Sequence, residues 1–241
     1  MAAFRILLAD DHPVFRFGLR ALLRSHEGWE VCGEASDGRE TIEKCGSLKP
    51  DLLLLDICMP VLNGLGAASQ ILKDTPAQRI LVVTDVDSEQ VIRDCLEAGV
   101  RGWVLKSEGT DEMIAAVEAL QRHNSFFSSQ VSELIMDGYL RQHCTASAKV
   151  KVPRLTLRER EVVQLVSEGK TSKEVALILN VSVKTAETHR SNIMLKLKLH
   201  SIAELVLYAV RNQIVHVQHS AVLRFPNPDN GQTDVSSQGL G

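Results

Sequence analysis

The chain has 241 residues, more than one ordinary domain needs, and carries a net charge of −3. Aromatic residues make up only 4%, which argues against a stacking platform for single-stranded nucleic acid, and no apolar run approaches the ~18 residues of a membrane span, so neither a signal peptide nor a membrane segment is expected. Charge is unevenly shared: residues 1–137 hold 13 Lys/Arg against 22 Asp/Glu, whereas residues 149–216 hold 12 against 6, a smaller basic half suited to an anionic partner.

From residue 4 to about 122, short apolar runs alternate with stretches of helical period. Leu19, Leu22 and Leu23 follow Phe15, Val91 and Ile92 precede Cys95 and Leu96, and Met113, Val117 and Leu120 form a third stripe. Such alternation predicts βαβ units, a parallel sheet and helices on both of its faces. Four runs end on polar residues: Ile6–Ala9 on Asp10 and Asp11, Leu52–Leu55 on Asp56, Ile80–Val83 on Thr84, and Trp103–Leu105 on Lys106. Segment 29–35 supplies a fifth strand, and right-handed crossovers with one reversal of winding place the first and third strands side by side. A further helix is predicted near 130–140, followed by a linker rich in Ser, Ala, Lys and Thr that reaches Pro153.

From Leu155 the pattern is helical only. Capping boxes at Thr156/Glu159, Thr171/Glu174 and Ser201/Glu204 mark three helix starts, Ser182 marks another, and Gly169 marks a stop. Beyond about residue 217 the composition turns to Asn, Gly, Ser, Gln and Pro, as in a disordered tail. Cys32, Cys45, Cys58, Cys95 and Cys144 form no CxxC pair and no cluster with histidine, which points to reduced cytosolic thiols and away from structural zinc or disulfides.

Parallel strands bring their last residues to one edge, where open α/β sheets bind ligands, so the acids, the hydroxyl and the lysine converge on one pocket. A carboxylate attacks a phosphoryl group only when the negative charges are neutralised, which calls for a divalent cation. Asp10, Asp11 and Asp56 suffice for Mg²⁺, which takes few carboxylates and keeps its waters. Lys106 then faces one phosphoryl oxygen and Thr84 another.

Asp10-Asp11-His12-Pro13, the run Asp56-Ile57-Cys58-Met59-Pro60 with Gly64 beyond it, and Thr84 followed by Lys106 closely resemble the receiver domain of two-component response regulators. The resemblance implies a flavodoxin-like, doubly wound, five-stranded parallel sheet. It also implies that Asp56 accepts a phosphoryl group from a sensor histidine kinase, with Mg²⁺ on Asp10, Asp11, Asp56 and the Cys58 backbone carbonyl. Thr84 becomes the switch hydroxyl and Trp103 the rotating aromatic beside it; on its residues alone, Trp103 reads equally as a partly exposed core aromatic. Two positions depart from the family: Asp85 replaces a small or apolar residue, and Val86 replaces a common histidine. An apolar side chain there orients no attacking water, so slow loss of the phosphoryl group is expected.

Helices beginning at Thr171 and Ser182, joined by Leu179-Asn180-Val181, have the spacing of a helix-turn-helix. Val183, Ala186, Ile193 and Leu197 form the apolar stripe of the second, and its other faces are polar and cationic, as a helix in the major groove requires. Leu157-Arg158-Glu159-Arg160-Glu161-Val162, Glu168-Gly169-Lys170 and Val183-Lys184-Thr185-Ala186-Glu187-Thr188-His189 strongly resemble the LuxR-type domain of the NarL/FixJ group. By that resemblance Glu187, Thr188 and Ser191 face base edges, while Lys184, Thr185, His189, Arg190 and Lys196 complete the DNA-contacting set, mainly at phosphates. The resemblance makes the last helix, with Ile202, Leu205, Val206, Ala209 and Val210, a dimer surface; on its own, each of these residues reads equally as core.

The expected organisation is a receiver over 1–123, a helix and linker over 124–152, a four-helix DNA-binding domain over 153–216 and a tail over 217–241. The expected function is a cytoplasmic, non-enzymatic transcription factor, switched by phosphorylation and binding a two-fold duplex operator as a homodimer. An aspartate-nucleophile phosphohydrolase remains a rival, although Cys58 stands where such an enzyme needs its general acid. A regulator working without phosphate remains another.

Overall fold

A computed structural model describes the backbone of residues 3–144 and 155–215; side chains are described to residue 136 in the first segment. The predicted tail over 217–241 and the second part of the predicted linker lie outside the described residues.

The first segment is a doubly wound parallel sheet. Its elements are β1 (Phe4–Ala9), α1 (Pro13–Arg24), β2 (Trp29–Ala35), α2 (Gly38–Leu48), β3 (Leu52–Leu55), α3 (Gly64–Asp74), β4 (Arg79–Thr84), α4 (Glu89–Ala98), β5 (Gly102–Leu105), α5 (Thr110–Gln121), β6 (Phe126–Phe127) and α6 (Ser129–Cys144). Strand order is β2-β1-β3-β4-β5-β6, so the first and third strands are neighbours, as expected. The sheet has six strands where five were expected. Two residues are too short for a periodic signal, and Phe126 and Phe127 form β6 by pairing with Gly102 and Trp103 on an edge that β5 leaves open.

Continuous apolar runs serve the centre of this sheet because both of its faces are covered. Leu52 and Leu54 join α1 and α5 in one core, and Leu53 and Leu55 join α2, α3, α4 and α6 in the other. Burying a leucine is worth about 2 kcal/mol, so the fully buried β3 anchors both layers.

The second segment comprises α7 (Leu157–Ser167), α8 (Ser172–Leu179), α9 (Val183–Leu197) and α10 (Ile202–Arg211) around a separate core of Val162, Val163, Leu165, Val175, Leu179, Ile193 and Leu205. Two of the three expected capping boxes close, at Thr156/Glu159 and Thr171/Glu174. At Ser201 only half of the box forms. The serine accepts from Glu204 N, but the Glu204 carboxylate turns to the backbone N–H of His200 at 2.6 Å, one residue earlier. Gly169 follows α7 at φ +83°, the left-handed stop expected there.

Candidate functional site

Three loops at the carboxyl end of the sheet build an acidic pocket. Asp10 follows β1, and its Oδ1 accepts the backbone N–H of His12 at 2.7 Å, turning the chain into α1, which starts on Pro13. Asp56 follows β3, and its Oδ1 accepts the N–H of Cys58 at 3.2 Å. The chain then folds back so tightly that Gly64 N donates to the Ile57 carbonyl at 2.9 Å. A Cβ on Gly64 would stand 2.0 Å from the Asp56 carbonyl oxygen, which explains why glycine opens α3. Asn63 caps that helix through Gly66 N.

Asp10, Asp11 and Asp56 bring one carboxylate oxygen each to within 4.8 Å of one another. Lys106, at the end of β5, places its Nζ 2.7 Å from Asp56 Oδ2 and 2.8 Å from Asp10 Oδ2, with side-chain exposures of only 10% for the lysine and 4% for each acid. A single side-chain cation is thus seated between two of the three acids. Burial raises the Asp10 and Asp11 carboxyls above the ordinary range, and the Asp56 charge adds to this; Lys106 works against it. For Lys106 burial opposes the charge, but Asp56 and Asp10 prevail and hold its ammonium above the usual lysine value. The Phe15 ring lies beneath the ammonium at 4.8 Å, a cation–π contact that sequence reading overlooked.

Thr84 is fully buried at the end of β4, and its Oγ1 accepts Val86 N at 3.3 Å, leaving the hydroxyl proton for another acceptor. Trp103 was read in one alternative as a partly exposed aromatic. It is fully buried, with its indole Nε1 lacking a hydrogen-bond partner, because α4 and α6 cover this part of the sheet. Asp85 is exposed to solvent, and Val86 is buried in the core that also holds Val91, Ile92 and Trp103. Replacing Val86 by histidine therefore places an imidazole in a core.

In the basic half, Lys184, Thr185, Glu187, Thr188 and Ser191 are exposed along α9, and His189 and Arg190 are half-buried. The Thr185 hydroxyl pairs with Ser182 Oγ at 2.8 Å, and that of Thr188 donates back to the Lys184 carbonyl, so both are partly engaged within the helix. Lys196, expected at a DNA phosphate, pairs with the Glu159 carboxylate at 2.6 Å, because one turn of α7 passes beside the end of α9. Ala186 and Ile193 are buried as the apolar stripe requires, while Val183 is exposed. On α10, Leu205 and Ala209 face the core, and Ile202 and Leu207 stand more than half exposed.

Gln164 and Glu161 of α7 were also overlooked, and both are buried polar residues. The signal was a lone Gln inside the apolar run Val162-Val163-Gln164-Leu165-Val166.

Residues 6–118 match the response regulator receiver domain, and residues 153–209 match the bacterial regulatory proteins of the luxR family. The chain is 34% identical over 215 residues to the oxygen regulatory protein NreC of Staphylococcus epidermidis, covering 88% of this chain and 99% of that protein. It is 32% identical to the response regulator protein VraR of Staphylococcus aureus, over 88% and 98% of the two chains. Among solved structures it resembles RcsB of Salmonella enterica serovar Typhimurium bound to promoter rprA in the presence of phosphomimetic BeF3⁻, with a TM-score of 0.60, 28% identity, and 86% and 98% of the chains covered.

Proposed function

The chain belongs to the two-component response regulators that join a receiver to a LuxR-type DNA-binding domain, and from that premise we propose that a sensor histidine kinase phosphorylates Asp56 and thereby switches DNA binding by α9. The observation that carries this reading is the buried Asp10–Lys106–Asp56 bridge, a site that holds positive charge beside one attacking carboxylate. An Asp56 carboxylate oxygen bonds to phosphorus as the bond to the donor's imidazole nitrogen breaks. Lys106 then meets one phosphoryl oxygen and the Thr84 hydroxyl donates to another. Trp103 rests beneath the α4 surface, where a shift of Thr84 alters its packing.

The acid cluster suits Mg²⁺ held by Asp10, Asp11, Asp56 and the Cys58 carbonyl; when bound, the ion neutralises phosphoryl charge. Asp56 is modified and turns over no external substrate. We assign the receiver to 1–123, the helix and linker to 124–152 and the DNA-binding domain to 153–216, with a tail over 217–241. Exposed Lys184, Thr185, Glu187, Thr188, Ser191 and half-buried His189 and Arg190 form the DNA face; Lys196 supports it by pairing with Glu159. Ile202 and Leu207 on α10 offer an apolar surface to a second copy, matching two-fold duplex DNA read by a homodimer in the cytoplasm. No helix among the described residues is long and apolar enough to cross a membrane.

The test is incubation of the full chain with Mg²⁺ and a small phosphodonor, followed by intact-mass measurement. One phosphoryl group is expected on the wild type and none on Asp56→Asn. Equal incorporation in both would overturn the assignment.

A further inference from the structure

The DNA-binding half reaches the segment that carries Asp56. Glu161 and Gln164 of α7 and Glu168, which caps its C-terminal end, lie at i, i+3 and i+7 on one face, and they meet the receiver where β3 runs into α3. Gln164 is 1% exposed. Its Nε2 donates to the Met59 carbonyl at 2.8 Å, and its Oε1 accepts the backbone N–H of Asn63 at 3.0 Å. The Glu168 carboxylate braces the same amide at 2.8 Å and accepts Val61 N at 3.4 Å. Gln70 of α3 donates to Glu161, and Arg160 holds Asp94 of α4 at 2.8 Å.

Three backbone groups of one short loop, at 59, 61 and 63, are therefore satisfied from the other domain. An amide suits this task because it offers a donor and an acceptor at once; a carboxylate or a hydrocarbon of similar size fills the space without making both bonds. The loop so held is also strained. Val61 sits at φ +66°, a left-handed conformation that β-branched residues rarely adopt and that persists only where the surroundings hold it. Its opposite end is the phosphoryl site. Cys58 N bonds Asp56 Oδ1, and the carbonyl held by Gln164 is the next one after that of Cys58.

We propose that Gln164 is a positioning residue of the phosphoryl site, supplied by the DNA-binding half. It holds residues 57–63 in the arrangement in which Lys106 bridges Asp56 and Asp10, so that the hold of Gln164 on this loop and cation binding at the acid cluster oppose one another. This rests on the reading of that cluster as a cation and phosphoryl site. By linkage the effect runs both ways: a released loop accepts the cation more readily, and a bound cation weakens the hold of Gln164 on the loop. The coupling is separate from Thr84 and Trp103, since it enters through the loop after β3.

The experiment is titration calorimetry of Mg²⁺ into the full chain, comparing wild type with Gln164→Leu, Gln164→Glu and Arg160→Ala. Gln164→Leu loses both bonds to the loop, Gln164→Glu keeps only an acceptor for Asn63 N, and Arg160→Ala loosens the α4 contact without touching the loop. We expect Mg²⁺ to bind Gln164→Leu about fivefold more tightly, Gln164→Glu more tightly than wild type, and Arg160→Ala within twofold of wild type. Amide exchange gives a second readout: Val61 and Asn63 exchange faster in Gln164→Leu while β1 and β3 keep their protection, which also shows that the variant is folded. An affinity within twofold of wild type in Gln164→Leu would overturn the proposal, as would equal tightening in Arg160→Ala, which would make undocking in general the cause. Absence of Mg²⁺ binding by the wild type would instead overturn the underlying reading of the acid cluster.

Discussion

The two halves carry their chemistry in opposite ways. In the receiver the charges that matter are buried: Asp10, Asp56 and Lys106 lie at the edge of a sheet whose strands are covered on both faces. In the helical half most of the candidate contact residues are exposed along α9, and His189 and Arg190 are half-buried. A buried charge is costly without its partners, so each receiver residue depends on its neighbours and the site responds as a unit. An exposed charge is well solvated, so the residues of α9 contribute to binding nearly one by one.

Substitutions that separate steric, electrostatic and surface effects should sharpen this contrast. The largest effect is expected at Gly64. Gly64→Ala drives a methyl into the Asp56 backbone, where nothing flexible can yield, and should lower stability by about 4 kcal/mol in urea titration, an exceptionally large value for one residue. Gly169→Ala in the helical half meets no atom within 4 Å and only the cost of its left-handed φ, about 1 kcal/mol. Similar losses at the two glycines would break the comparison.

Next comes the buried bridge. Lys106→Ala leaves two adjacent acids without their cation and should cost about 3 kcal/mol in the absence of divalent ions. Saturating Mg²⁺ should restore part of that loss, because a ligand that binds only the folded state stabilises it. An unchanged melting midpoint, with or without Mg²⁺, would contradict the role given to the bridge.

The same cluster sets a pH dependence. Burial, assisted by Asp56, raises Asp10 and Asp11, so in the folded protein they take up protons at a pH where the unfolded chain, with aspartates near ~3.9, still holds them ionised. The metal-free protein should therefore gain stability from these two groups as pH falls through their raised values. Mg²⁺ affinity should weaken over the same interval. Calorimetry at stepped pH checks both signs, and an affinity that holds constant down to the ordinary carboxylate range would refute the assignment.

The smallest effects are expected on α9. Lys184→Ala should flatten the salt dependence of DNA binding by about one unit of log–log slope. Lys196→Ala should leave that slope nearly unchanged, because Glu159 already neutralises the lysine. A larger change at Lys196 than at Lys184 would reverse the assignment of the two cations.

The acid pocket was readable because parallel strands bring their ends together, so four short apolar runs placed Asp10, Asp56, Thr84 and Lys106 on one edge before any distance was known. Helix starts at Thr156 and Thr171 were readable for a similar reason, since a capping box is local. Tertiary features were not. β6 exists only through its partner strand, Lys196 is claimed by a carboxylate 37 residues away, and the bond from Gln164 to Met59 spans 105 residues. Trp103 likewise is denied the partial exposure that one of its two readings gave it, because α6 covers it, a helix whose packing no periodicity in β5 announces.

The central claim is that a change at Asp56 alters what α9 does. Its most direct test is retention of duplex DNA by the full chain with Mg²⁺, before and after treatment with a small phosphodonor, for wild type and Asp56→Asn at one salt concentration. The account predicts that treatment increases retention by the wild type and leaves Asp56→Asn unchanged. Equal responses of the two proteins, or a phosphorylated wild type whose DNA binding does not move, would contradict it.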